Sequence, residues 1–288
     1  MLYLYLLIIL SGVVMAVSSL IEKRVLKSEH ATAYTAAFSL VTAVIALTFI
    51  PFADFRISLV DVGLVYVVSF FSTVTYILTA RVYKHGNISI ASPLFSSVPQ
   101  LLIVFFAFIL LGEHLSTIQY ISIVIIVVAV YLMMFRTGSK QSGFTDKKYI
   151  YYLALDMALM AVAGVLMKYT LYTVQPFTYL VLAEFFIAAN MTVYMSIRYG
   201  GVREISQNLS RYKVPIIAIS VLTIAYRAMY YFALAGTYVS LASPLRNGAD
   251  VLITVVGGGL LFGESSMRRK LALSVVMLAA IYFLVTGA

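Results

Sequence analysis

Ala91-Ser92-Pro93-Leu94 returns in the same chain as Ala242-Ser243-Pro244-Leu245, an offset of 151 residues. Gly112-Glu113 returns as Gly263-Glu264 at that same offset. Around these anchors Gly86 pairs with Gly236 and Tyr76 with Tyr226 at 150, and Lys23 pairs with Lys168 at 145. A four-residue and a two-residue match at one shared spacing argue for duplication, so the chain reads as two copies of one unit. The first copy is 1–136 and the second 149–288. Between them lies the polar stretch 137–148, which reads as a linker.

Composition says what kind of unit is duplicated. Of 288 residues, 62% are apolar and 11% charged, far from the roughly 45–50% and 25% of soluble domains. Spans of about 20 apolar residues are needed to cross a bilayer. Ten such runs are present, near 2–21, 33–53, 60–80, 88–111, 116–135, 149–167, 177–197, 214–235, 239–262 and 271–287. The expected fold class is an all-α membrane protein of ten transmembrane helices. Five helices per copy is an odd number, so the copies are expected as two inverted five-helix repeats, a construction used by secondary transporters. The first run lacks a charged start and a cleavage flank, so it reads as a span and not as a removable leader.

The net charge of +9 is an orientation signal in a chain this apolar. Sixteen of the 20 Lys and Arg fall in loops 1–2, 3–4, 5–6, 7–8 and 9–10. That bias predicts these loops in the cytoplasm and both termini outside, in a multi-pass protein of the plasma (inner) membrane. Anionic headgroups account for the basic clusters, and no nucleic acid is expected as a partner.

The duplicated motif resembles the drug/metabolite transporter superfamily, in particular proteins with two EamA-type domains. The resemblance rests on a fourth helix that starts with small residues and proline and closes on an apolar-Gly-Glu turn. It is carried by Ala91-Ser92-Pro93 through Pro99 to Leu111-Gly112-Glu113, and by Ala242-Ser243-Pro244 through Leu261-Phe262-Gly263-Glu264. Lys23 and Lys168 match the basic residue near the end of each first helix. The resemblance implies a carrier of small molecules. It also implies cytoplasmic termini, opposite to the charge count, and a mid-helix proline in both copies where the second has Asp250.

Ionisable residues at membrane depth are costly and normally face a functional interior. Asp156, Glu184, Arg227, Arg246 and Asp250 qualify, all in the second copy. At 1.5 Å per residue, Glu184, Arg227 and Arg246 lie about 10–12 Å below the face of loops 6–7 and 8–9, with Asp250 and Asp156 about 16 Å deep. These levels of opposite charge predict a substrate-binding site open to that face, with Tyr76, Tyr226 and Tyr230 as lining aromatics. Arg246 and Asp250, spaced i, i+4, have the geometry of an intrahelical salt bridge. Two structural ion pairs are the competing reading. Three acids against two bases leave one negative charge, which makes Asp250 and Asp156 the proton-coupling candidates. Asn190 and Asn247 read as interhelical hydrogen-bonders. Glu113 and Glu264, after Gly at helix ends, read as cap and gate residues near water.

The chain has no Cys, and His30, His85 and His114 sit at span ends, so no metal site is expected. No P-loop and no deep His are present, which argues against an ATP-driven pump, a triad hydrolase or any other enzyme. No cofactor is expected. The function read from the sequence is a secondary active transporter for a small polar metabolite, with an amino acid or related zwitterion preferred, coupled to protons or exchange. A flippase-like carrier of a lipid-linked or phosphorylated compound and a non-transporting membrane subunit remain open. Its partners are a small-molecule substrate and the lipid bilayer, and it is a monomer or homodimer.

Overall fold

A computed structural model describes residues 2–26, 31–85, 88–134, 147–199, 201–262 and 267–287. Along these the elements run α1 Leu2–Leu26, α2 Ala31–Ala46 continued by a 3-10 turn Leu47–Phe52, α3 Leu59–His85, α4 Ile88–Leu111 and α5 Thr117–Met134. They continue as α6 Lys147–Thr170, α7 Pro176–Arg198, α8 Val202–Arg211, α9 Lys213–Ala235, α10 Val239–Phe262 and α11 Met267–Thr286. No strand occurs among the described residues. The protein is an all-α membrane protein, because a helix satisfies its own backbone polar groups where lipid offers none. Each expected apolar run falls on a helix, and among the described residues seven are long and apolar enough to span. The apolar parts of α5 and α11, Thr117–Leu132 and Ala272–Thr286, are shorter. Most of the linker 137–148, with Gly86, Gly263, Glu264 and the side chain of Lys23, lies outside what is described.

Local chemistry sets the helix ends. Gly112 has φ +64, a left-handed turn that suits glycine, and it stops α4 so that Glu113 follows immediately. Gln175 caps α7 by accepting from the Thr178 amide at 3.3 Å, and Pro176 occupies the first helical position, where its missing N–H costs nothing. The stretch from Arg198 to Lys213, expected as loop, instead holds α8. Ile205 and Leu209 share one face of it and join Ile216, Ile219 and Tyr34 in a cluster beside α2. Ten residues with Arg203, Glu204 and Gln207 on them are too few and too polar to cross a bilayer, so α8 is anchored by that one edge.

The distribution of side chains is reversed relative to a soluble protein. Leu59, Val214 and Ile197 are 90%, 77% and 75% exposed, while Asp156, Glu184, Thr42 and Ser220 are buried. Thr42 and Ser220 meet at 3.2 Å between α2 and α9. Helix pairs are arranged reciprocally: α1 packs on α9 and α10 as α6 packs on α3 and α4, and α2 packs on α9 as α7 packs on α3. The pairs α2–α7, α4–α10 and α5–α11 close the bundle.

The α1–α10 contact depends on Gly12. A Cβ there would stand 2.4 Å from the Arg246 carbonyl oxygen and 2.8 Å from Ala249 Cβ, so backbone would have to move. Gly12→Ala is expected to destabilise by about 1–3 kcal/mol through overpacking. Its melting temperature in detergent should fall, whereas Gly63→Ala on α3, with nothing within 4 Å, should leave melting unchanged or slightly raised.

Candidate functional site

A cavity of about 310 Å³ lies between the two halves of the chain, at the small end of the roughly 300–1,000 Å³ range of ligand sites. Its polar lining includes Ser72 and Tyr76 of α3, Gln100 of α4, Arg227 and Tyr230 of α9 and Arg246 of α10. Met15, Met160 and Met167 supply soft apolar wall. Of the eight residues expected at a site, Tyr76, Tyr226, Arg227, Tyr230 and Arg246 line this cavity, and Glu184, Asp156 and Asp250 do not.

Glu184 on α7 forms an ion pair with Arg227 on α9, at 1% and 10% side-chain exposure. The other Arg227 Nη donates to the Tyr76 hydroxyl on α3. One guanidinium thereby joins three helices, and the fixed fork of Arg donors suits that geometry. The charge of Arg227 is matched by Glu184 before any ligand arrives.

Arg246 is placed differently. Its guanidinium lies over the Tyr230 ring, 3.9 Å from the centroid, a cation–π contact. Its Nε has no hydrogen-bond partner among the described residues. The i, i+4 salt bridge with Asp250 is not formed among the described ion pairs; the Asp250 carboxylate accepts a long 3.5 Å bond from Thr254, on the next turn of α10. Ser243 donates to Gln100 at 2.6 Å, and Asn247 donates to the Ser96 carbonyl at 2.5 Å, so α10 and α4 are joined as the deep Asn suggested. Asn190 does not repeat this: its Nδ2 is buried and unpartnered among the described residues.

Asp156 is fully buried apart from the cavity, between α6 and α3. One carboxylate oxygen accepts from Thr79 at 2.6 Å, and the other has no partner among the described residues. Val82, Leu153 and Met157 cluster near it. The equal depth of Asp156 and Asp250 along their helices suggested one shared level; their azimuths separate them.

The site was expected to open toward loops 6–7 and 8–9, and that end is closed. Tyr179, in the first turn of α7, meets Tyr231, near the end of α9, edge to face at 5.0 Å, and both rings line the cavity. Beyond them the loops are laced together. Thr178 donates to the Asp54 carbonyl at 2.8 Å, Gln175 to the Phe52 carbonyl at 2.9 Å and Thr173 to Asp61 at 2.6 Å. Glu113, expected near water, is 2% exposed. It accepts from the amides of Val239 and Ser240 at 2.9 and 3.0 Å and from the Ser240 hydroxyl, capping α10 from the end of α4. Lys168 at the end of α6 donates to the Leu234 and Ala235 carbonyls at 2.9 and 3.2 Å, capping the end of α9. An acid at a helix start and a base at a helix end both oppose the helix dipole. The Gly-Glu motif was the available signal for Glu113, but its partner helix was not legible from it. Tyr231 shares the deep aromatic run of Tyr226 and Tyr230 on one span, whereas Tyr179 carried no signal that set it apart from the other tyrosines.

Residues 2–135 match the EamA-like transporter family. The EamA-like first half thus supplies α1 to α5, including Tyr76, Gln100 and Glu113 of the cavity and its closed end. No curated protein matches the chain in sequence. A solved crystal structure is similar over 99% of this chain and 99% of its own, with a TM-score of 0.78 at 12% identity, which shows a shared fold. The match covers a little under half of the chain, and the seven candidate spans among the described residues make it a multi-pass membrane protein.

Removing one partner of a buried pair strands the other charge, at a cost of about 3–5 kcal/mol. Glu184→Gln is therefore expected to lower the melting temperature sharply. The double variant Glu184→Gln with Arg227→Gln should recover most of the loss, and a double-mutant cycle in detergent measures the coupling.

Proposed function

We propose that the protein is a secondary active transporter that carries a small polar metabolite through the cavity by alternating access. The observation that carries this reading is a closed-ended cavity with two arginines and several tyrosines, midway along the helices of an EamA-like fold. No P-loop is available to drive the cycle with ATP, so coupling to protons or exchange is the source of work, in a carrier and not an enzyme. Ten crossing helices in two inverted five-helix repeats, 1–136 and 149–288, make the second half the structural counterpart of the EamA-like first. The reciprocal helix pairing supports that division. So do contacts at or beside corresponding positions: Ser96 meets Asn247 at the motif offset of 151, and Tyr76 meets Arg227, next to its counterpart Tyr226.

The laced end is then one gate, held shut by the Tyr179–Tyr231 pair and the Glu113 and Lys168 caps, and the site communicates with the opposite face. By the distribution of Lys and Arg that opposite face is cytoplasmic in a plasma membrane. Asp156 is the proton-coupling residue, because it is an isolated buried acid with an unpartnered oxygen at the α3–α6 contact that must shift when the halves rock. Asp250 is the alternative.

Reconstitution in proteoliposomes tests the reading. Uptake of at least one member of a panel of amino acids, organic acids and sugar phosphates is expected, and it should collapse in Arg246→Gln while that variant still folds. Loss of folding without any transport by the parent protein would favour a non-transporting subunit. A pH gradient of the right sign should accelerate uptake. Asp156→Asn should remove that acceleration, and an undiminished pH response in both Asp156→Asn and Asp250→Asn would end the proton assignment. Because the chain has no Cys, Ser72→Cys reports access directly. A membrane-impermeant thiol reagent is expected to label it from the face of loops 1–2 and 3–4 and not from the laced face.

A further inference from the structure

We infer that the cavity selects a small organic monocarboxylate with an aromatic or otherwise apolar body, and that Arg246 is the residue that holds the carboxylate. This rests on the reading of the cavity as the transport site and names its substrate class. Two cations line the cavity, and no Asp or Glu does among the described lining residues. Arg227 is spoken for: Glu184 neutralises it and Tyr76 accepts its second branch. Arg246 has no carboxylate within ion-pair distance among the described residues, its Nε is unpartnered, and its face is stacked on Tyr230. A guanidinium held by its π-face keeps its in-plane donors free, and these match a carboxylate in geometry and charge.

The charge count fixes the class more narrowly. One lining cation outside any described ion pair suits a monoanion, whereas a doubly charged phosphate would find no second free cation in the lining. An amino-acid zwitterion would bring an ammonium group with no acid facing the cavity to receive it. The nearest acid along α10 is Asp250, one turn from Arg246 and outside the lining. The rest of the wall suits an apolar body: the rings of Tyr179, Tyr226 and Tyr231 with the methionines of α1 and α6. The small volume excludes a lipid-linked cargo held whole within the cavity.

The test sets benzoate against its near-isosteric neutral amide and against phenyl compounds that carry other charged groups. Purified protein in detergent is titrated with benzoate and benzamide, and with phenylalanine, phenethylamine and phenyl phosphate, by thermal shift and calorimetry. Benzoate is expected to bind at least about tenfold more tightly than benzamide, a step of one charge-assisted contact. Arg246→Gln should abolish that preference with an intact melting transition, and Arg246→Lys should restore part of it. Equal binding of benzoate and benzamide, or tighter binding of phenylalanine, phenethylamine or phenyl phosphate, overturns the carboxylate assignment while leaving the cavity as the transport site. A preference for benzoate that survives Arg246→Gln overturns the role of Arg246. Binding of none of the five, together with no uptake from the wider panel in proteoliposomes, overturns the class and the transport reading alike.

Discussion

The buried ion pair of Arg227 with Glu184 sets the terms for everything around the cavity. Two charges far from water are tolerated only when each satisfies the other and the remaining donors find partners. The pair does this by spanning α7 and α9 and recruiting the Tyr76 hydroxyl from α3. It therefore fixes the spacing of three helices at one level, and it removes Arg227 from the list of charges free to act on a ligand. What remains chemically available in the cavity is decided by that subtraction. Arg246 is left as the lining cation outside any described ion pair, with Asp250 one turn away along α10, and tyrosine hydroxyls, Ser72 and Gln100 are the polar groups of the cavity.

At the closed end the constraint is of a different kind. Helix ends carry unpaired amides and carbonyls, and burying them without partners is expensive. The protein meets that demand with side chains from other helices. Glu113 of the α4 end caps α10, and Lys168 of the α6 end caps α9. Because each cap belongs to a helix on the far side of the contact, the short connection Gly236–Tyr238 cannot move without breaking them. Caps supplied across the contact tie the two helix ends to each other, which is the ground for the gate proposed at this end.

The sequence was legible where a physical rule acts on one segment at a time. Apolar runs announced the helices, and the Gly-Glu motif announced a helix end, with Gly112 taking the left-handed turn that made the motif recognisable. Of the eight expected site residues, the three tyrosines and two of the five ionisable groups line the cavity, while Asp156, Glu184 and Asp250 lie outside its lining. What was not legible depends on azimuth and on partners distant in the chain. Depth along a helix put Asp156 level with Asp250, but only the packed bundle shows that Asp156 faces Thr79 instead of the cavity. The i, i+4 spacing permitted Arg246 to pair with Asp250, and nothing in that spacing revealed that Tyr230 on the neighbouring helix would take the guanidinium face first. The helix α8 escaped a reading keyed to span-length apolar runs, because it is only ten residues long and its apolar edge of Ile205 and Leu209 finds its place only once α2 lies beside it.

The proposed duplication explains why the charged groups crowd on one side of a nearly symmetric bundle. In a pair of inverted repeats, corresponding segments meet near the two-fold axis, and Tyr76 meets Arg227, the residue beside its counterpart Tyr226. That contact lets the single charge of Arg227 satisfy Glu184 on one side and a hydroxyl on the other. With that pair matched, Arg246 is the cavity-lining cation that no described ion pair engages, which is the ground for the binding role proposed for it.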